Sequence, residues 1–349
     1  MLEHELAKKL IKIKSITPEN NGCLELIASY LPDFEHSYIN KGNTSNLFSK
    51  YKNGAKHFAF AGHIDVVPVS DNWSVPPFDG VVKNGYLYGR GTNDMKGAIA
   101  CFVAAFLEVK DKINYSVSFL LTSDEEGDAT YGTREIIKYL QDKNEKIDLC
   151  LIGEPTSKNK VGDRIKIGSR GSINTRIRVH GQAGHVGYPD EAKNPIPIAL
   201  DLAKKLNEHV LDKGNEHFQA SNLELTSIDV NNTATNVIPP YIDIRFNIRF
   251  NDIHTHESLK AWIQSIAHEH ECHFEFCGIP YYCDISKFNL SSANISTHGA
   301  ASDGFIIKDL CPCFELGLFY DQAHQKDERV LLEDLTKLKE IYKEILLHF

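Results

Sequence analysis

The stretch that most constrains the fold runs from Phe58 to about Pro155, where strand-like and helix-like patterns alternate. The apolar run "FAFAGHIDVVP" leads to a helical stretch from Met95 to Lys110. The strand pattern "YSVSFLLTS", the helix "TYGTREIIKYLQ" and the strand "IDLCLIGEP" follow. Strands separated by helices pair in parallel and need both sheet faces covered, which predicts an α/β unit with a mainly parallel sheet. The character changes between about Ser172 and Cys283. There the order is strand "INTRIRVHG", helix 195–211, strand "LELTSIDV", strand "YIDIRFNIRF", helix 255–269 and strand "CHFEFCG". That βαββαβ order is the split pattern of ferredoxin-like α+β domains. Afterwards "CPCFELGL" resumes as a buried strand, and "LEDLTKLKEIYKEILLHF" reads as a terminal amphipathic helix. With 349 residues the chain is long for one hydrophobic core. The expected organisation is a discontinuous α/β domain, residues 1–171 and 284–349, carrying an inserted α+β domain, residues 172–283.

Charge and composition narrow the function classes. The formal net charge is −9 and no Lys/Arg-rich block stands out, which argues against nucleic acid as a partner. No apolar run approaches the ~20 residues of a membrane-spanning helix, so no membrane association is expected. The N-terminal "MLEHELAKKLIKIKSITPEN" has no basic, apolar and small-residue order of a signal peptide and reads as an amphipathic helix with Leu6, Leu10, Ile11 and Ile13 on or near one face. A cytoplasmic location is expected, and the eight cysteines should there be reduced and buried. Cys272, His273, Cys277 and Cys283 lack the spacing of a zinc site, because "ECHFEFC" alternates like a strand.

Ligand-type residues recur where the α/β strands end. His63 and Asp65 close the first strand, Asp94 follows in "GRGTNDMKG", Glu125 and Glu126 in "TSDEEG", and Glu154 in "LIGEP". Sites of open α/β sheets form at the carboxyl ends of strands. Taken singly, Asp94 or Glu154 reads as a helix cap and His63 as a satisfied core histidine. Together they crowd several carboxylates on one rim, and these repel one another unless a cation sits among them. A histidine with carboxylates suits Zn²⁺, with Co²⁺ as a substitute. Asp65, two residues beyond His63, is placed to orient that imidazole.

The ordered set "GHIDVVP", "LYGRGTNDMKG", "TSDEEG", "IGEP" and "GHVGYP" resembles the zinc-dependent aminoacylase and carboxypeptidase superfamily. The likeness extends from "SITPENNGCLEL" to "ELG" and His324. Within the superfamily, "TPENNGC", "SRGS", "NVIP", "FNIRF" and "ASDG" look like its bacterial desuccinylase branch. The resemblance implies a zinc-peptidase-like catalytic domain with an inserted dimerisation domain, and two zinc ions per subunit. His63 and Glu154 would complete one ion, Glu126 and His324 the other, with Asp94 as the bridge. It assigns Glu125 as general base. It has His185, in "HGQAGHVGYP", reach the partner subunit's site in a homodimer. By itself His324 lies in a polar stretch and reads as a surface residue, and His185 reads as a turn histidine. Arg170 and Arg249 are candidates for substrate carboxylates, because guanidinium forks match them. Asn236 is a candidate hydrogen-bond partner of substrate, although an exposed strand face explains Arg249 and a turn explains Asn236 equally well.

The activity so implied is hydrolysis of a small acylated amino acid, removing succinate from N-succinyl-LL-diaminopimelate. The alternatives are a related deacylase or dipeptidase, such as one acting on acetylornithine, and an inactive binding homologue. Ser169 stands where the branch has an arginine and Ala301 where it has a threonine, and "FYDQAH" precedes His324. These departures bear on substrate choice and leave the ligand set and Glu125 complete.

Overall fold

In a computed structural model of the chain, describing residues 1–286, 294–299 and 301–349, the first apolar run forms strand His57–His63, buried at every position but Gly62. It lies inside an eight-stranded sheet. The order is Glu35–Tyr38, Asn46–Tyr51, Ser116–Thr122, His57–His63, Leu149–Ile152, Cys313–Glu315, Arg164–Lys166 and Asn294–Ser296. The four strands from Ser116–Thr122 to Cys313–Glu315 are parallel neighbours. Strand Asn46–Tyr51 runs antiparallel on one side and Arg164–Lys166 antiparallel on the other.

The central strands are buried and largely apolar, Ser118 being a buried exception, because helices cover both faces. Helix Lys96–Val109 is buried almost throughout. Its Phe102 stacks on Phe60 at 4.4 Å between ring centroids and meets Phe119 edge-on at 5.3 Å. Tyr342 of helix Leu332–His348 packs on the same ring at 5.6 Å. Phe48 and Phe119 sit on opposite faces in the strand register, and Tyr139 of helix Thr133–Asp142 meets Phe48 at 6.1 Å. Helix Leu2–Ile11 buries Leu6, Leu10 and Ile11 fully, and it ends before Ile13.

The chain divides into two compact units, Met1–Gly168 with Cys283–Phe349, and Ser169–Tyr282. The second unit is an antiparallel sheet in the order Asn222–Asp229, Tyr241–Phe250, Gly171–His180 and Glu271–Gly278. Helices Pro195–Glu208 and His256–Ala267 bury Leu202, Leu206 and Ile263 against Ile173, Ile177, Ile244 and Phe246. Local signals start both helices. The Asn194 side chain accepts from the Ile196 N–H ahead of the first, and Thr255 with Ser258 forms a capping box on the second.

All eight cysteines are free thiols, but Cys277 is exposed and Cys272 half-buried. Both lie on the edge strand Glu271–Gly278, whose successive residues face opposite ways and only one way faces the core. Among the described residues no helix is long and apolar enough to cross a membrane.

Candidate metal centre

One methionine gathers the first three rim residues. His63 follows Gly62, Glu154 follows Gly153, and Asp94 precedes Met95. A Cβ on either glycine would crowd the end of the Met95 side chain, so the glycines leave room for this close approach. The His63 N–H faces Met95 Sδ at 3.4 Å. The imidazole Nε2 then lies 3.0 Å from Asp94 Oδ1 and 3.7 Å from Glu154 Oε1. On the other side of Asp94, His324 Nε2 is 3.0 Å from Glu126 Oε1 and 3.5 Å from Asp94 Oδ2. Two groups result, His63–Asp94–Glu154 and Asp94–Glu126–His324, and within each the donor atoms lie within 4.8 Å of one another. Glu125 joins Asp94, Glu126, Glu154 and His324 in lining a cavity of about 310 Å³.

Protons balance the charge of this cluster when it is free of metal. Burial opposes a charge on His63, but the Asp94 hydrogen bond and the charges of Glu154, Glu125 and Asp65 outweigh it and raise its pKa well above the ordinary value. Hydrogen bonds to Asp94 and Glu126 raise His324 to about 10. Burial, reinforced by Asp94, pushes Glu154 up, and burial with the Glu154 charge does the same to Glu125. Burial also acts to raise Asp94, but hydrogen bonds from His324 and His63 hold it below the carboxylate range. A divalent cation inverts this logic by taking the place of the protons. Two imidazoles and three carboxylates, with Asp94 common to both groups, are a donor set that fits Zn²⁺.

Asp65 orients the cluster differently from what its spacing suggests. His63 Nδ1 lies 2.9 Å from the main-chain carbonyl of Asp65 and 3.6 Å from its carboxylate. The strand ends at His63, so the two-residue alternation does not carry on to Asp65. The carbonyl accepts a hydrogen bond from Nδ1–H, so that once His63 gives up its second proton the Nε2 lone pair faces the cluster. The buried carboxylate accepts the N–H groups of Glu125 at 3.2 Å and Glu126 at 3.1 Å and so holds the turn that presents both.

Sequence reasoning missed a second buried carboxylate. Glu328 is fully buried and accepts the N–H groups of Gly91 and Asn93, at 2.9 and 2.8 Å, in the turn leading to Asp94. Arg90 pairs with it at 2.9 Å and also donates to the main-chain carbonyl of His324 at 3.3 Å. His324 has φ of 61°, a left-handed conformation that a histidine rarely adopts without outside restraint. One ion pair thus fixes both the shared carboxylate and the strained histidine. The only sequence signal was an acidic residue four positions after His324.

The remaining candidates lie in the unit Ser169–Tyr282. Arg170 Nη1 is engaged by the Ala220 carbonyl at 2.7 Å and Asn222 Oδ1 at 2.8 Å. Burial and the charge of Arg249 lower its pKa, which places these two cations near each other. Gly184–His185 pairs with Val237–Ile238, and the Val186 N–H donates to the Asn236 carbonyl at 3.1 Å, so His185 and Asn236 are neighbours. His185 Nδ1 accepts the Gly187 N–H at 3.0 Å, which leaves Nε2 as the protonated, outward donor.

Strand ends that present paired histidine–carboxylate groups around a shared aspartate define a metallopeptidase-type centre, and the chain belongs to peptidase family M20/M25/M40, whose model matches residues 59–348. Its relatives are more particular. A protein of Ehrlichia chaffeensis, 44% identical and covered over 99% of this chain and 97% of its own length, bears the name succinyl-diaminopimelate desuccinylase. A Rickettsia bellii protein of the same name is 41% identical over 97% of this chain and 95% of its own. The fold is shared with an M20 family metallo-carboxypeptidase of Sulfolobus solfataricus, at TM-score 0.78 and 16% identity over 99% of this chain and 98% of that one. It is shared too with a Bacillus subtilis protein described as a dinuclear metal binding peptidase, at TM-score 0.70 and 13% identity over 99% and 96%.

Two outcomes are expected. Glu328→Gln, which changes no donor atom of either group, should lower metal affinity roughly tenfold to hundredfold in a chelator competition, the usual cost of losing an orienting partner. Zinc loading at pH 7 should release protons, because His63 and His324 are both raised and the ion takes only their neutral forms. Apparent affinity should therefore climb with pH from 7 towards about 10, the value of His324. Calorimetric titration in buffers of different ionisation heat measures the release.

Proposed function

We propose that this chain is a two-zinc amidohydrolase that cleaves N-succinyl-LL-diaminopimelate to succinate and LL-diaminopimelate, supplying lysine and cell-wall precursors in the cytoplasm. The observation that carries the reading is the pair of three-residue groups joined through Asp94 beside Glu125, in a chain 44% identical to a protein of that name. His63 and Glu154 would hold one ion and Glu126 and His324 the other, with Asp94 between them and Co²⁺ as a substitute. When bound, such a pair supplies Lewis acidity towards the amide carbonyl and lowers the pKa of water. Glu125, adjacent to a ligand but outside both groups, takes the proton of the attacking water and hands it to the leaving amine. Asp65 keeps Glu125 and Glu126 pointing into the cavity through their N–H groups.

The unit Ser169–Tyr282 is the dimerisation unit in this reading. Its strand Asn222–Asp229 is a sheet edge with Ile228 exposed, and Leu200 on helix Pro195–Glu208 is exposed as well. Such an edge invites pairing with a second copy. His185 offers its Nε2 proton to the oxyanion in the partner's site, and Arg170, Arg249 and Asn236 bind substrate carboxylates and polar groups.

Glu125→Gln should keep both metals and lose turnover by roughly 10²-fold or more, whereas Glu126→Gln should lose metal. Equal metal loss in the two variants would sink the division of roles. A panel of acylated amino acids tests the substrate, and a preference for N-acetylornithine would move the chain to the deacetylases while keeping the chemistry. Mixed His185→Ala and Glu125→Gln proteins should recover activity through hybrid dimers. No recovery after verified subunit exchange would confine His185 to its own chain.

A further inference from the structure

We infer that Arg164 is the residue that recognises the free carboxylate of the substrate's acyl group. The inference rests on the desuccinylase reading. It concerns a position that the sequence motifs did not single out.

Arg164 opens the strand Arg164–Lys166, which runs antiparallel to Cys313–Glu315. Lys166 is the register partner of Glu315, and beyond that strand Thr156 Oγ1 donates to the Arg164 carbonyl at 3.0 Å and accepts the Gly317 N–H at 3.2 Å, which ties Arg164 to Gly317. Gly317 in turn lies against Glu154, since a Cβ there would collide with the main chain of Gly153 and Glu154. Glu154, Gly317 and Arg164 thus follow one another along the rim, linked by Gly317 and Thr156. Arg164 lines the same cavity as Asp94, Glu125, Glu126 and Glu154.

The charges around it are already hydrogen-bonded, and the Arg164 charge acts on the Asp163 carboxylate only through space. The Lys166 ammonium is buried against both oxygens of Glu315, at 2.9 and 2.8 Å. The Asp163 carboxylate is taken by the N–H groups of Lys158 and Asn159, each at 2.9 Å. The Arg164 guanidinium lies over the ring of Tyr320, 5.6 Å from its centroid, and pairs with no carboxylate among the described residues. Stacking on an aromatic ring orients the fork while leaving its N–H edge open, the arrangement suited to bidentate carboxylate recognition. In a cavity lined by Asp94, Glu125, Glu126, Glu154 and Glu315, the single free carboxylate of a succinyl group needs a cation beyond the metal centre. A succinyl group carries its carboxylate three C–C bonds from the reacting carbonyl, roughly 4 Å at ~1.5 Å per bond. An arginine side chain spans the rest of the distance from the neighbouring strand.

The test compares Arg164→Met, Arg164→Lys and the unaltered protein on N-succinyl-LL-diaminopimelate and on its N-butanoyl analogue, which keeps the chain length and lacks only the acyl carboxylate. Arg164→Met should lose roughly tenfold to hundredfold in kcat/KM on the succinyl substrate, mostly through KM, and much less on the butanoyl analogue. Arg164→Lys should recover part of the loss, and inhibition by free succinate should weaken in parallel in both variants. Zinc content, measured on the same samples, should match the unaltered protein. Equal losses on the two substrates, or succinate inhibition unchanged in Arg164→Lys, would overturn the inference. Failure of the unaltered protein to prefer the succinyl substrate would instead overturn the desuccinylase reading.

Discussion

The site depends on confining several carboxylates to one small cavity against their mutual repulsion. Asp94, Glu125, Glu126 and Glu154 share the same walls, and the histidines at either side of Asp94 are held protonated by them. Such a cluster persists only if the backbone is held from outside. Two buried acids do this. Asp65 holds the turn of Glu125 and Glu126, and Glu328 holds the turn of Asp94. Both use main-chain N–H groups, so neither competes for the cation that the cluster is shaped to receive. The negative charge that attracts a metal and the negative charge that shapes its cradle are thus carried by different residues.

Rigidity reaches the site from the core through small contacts. Helix Lys96–Val109 is anchored by Phe102 among Phe60, Phe119 and Tyr342, and Met95 at its start fits between the glycines that precede His63 and Glu154. Replacing either glycine with alanine would force the end of the Met95 side chain to shift. The packing that stabilises the sheet and the packing that sets donor distances are therefore continuous.

Much of this was legible in the sequence, for identifiable reasons. The central strands are buried on both faces and read as largely apolar runs, so the charged and histidine residues just past their ends stood out. His63, Asp94, Glu126 and Glu154 were visible in this way, and the structure brings them together. His324 was not visible on physical grounds, because it sits on an exposed polar turn and its position depends on Arg90 holding its carbonyl. Glu328 and Arg90 were hidden for a related reason: a buried ion pair far apart in sequence looks like two ordinary surface charges. Asp65 was noticed as a partner of His63, and its carboxylate lies 3.6 Å from Nδ1, but its nearer carbonyl contact and its hold on the turn of Glu125 and Glu126 were not legible. Arg164 escaped notice because only the antiparallel turn of its strand brings it to the rim. In the other unit the βαββαβ order was readable from alternating and helical periods, whereas helix Pro195–Glu208 stops short of the expected end at 211.

The separation of the ligands along the chain bears on biosynthesis. His63, Asp94, Glu126 and Glu154 precede the unit Ser169–Tyr282, while His324 and the supporting Glu328 come after it. A ribosome must therefore complete the whole intervening unit before the second group has its histidine or Asp94 its anchor. An incomplete nascent chain has the turn that Asp65 holds but lacks the Glu328 anchor of the Asp94 turn and the histidine of the second group. Completion of the second group then falls at the end of synthesis, and a product truncated before His324 is left with the first group alone.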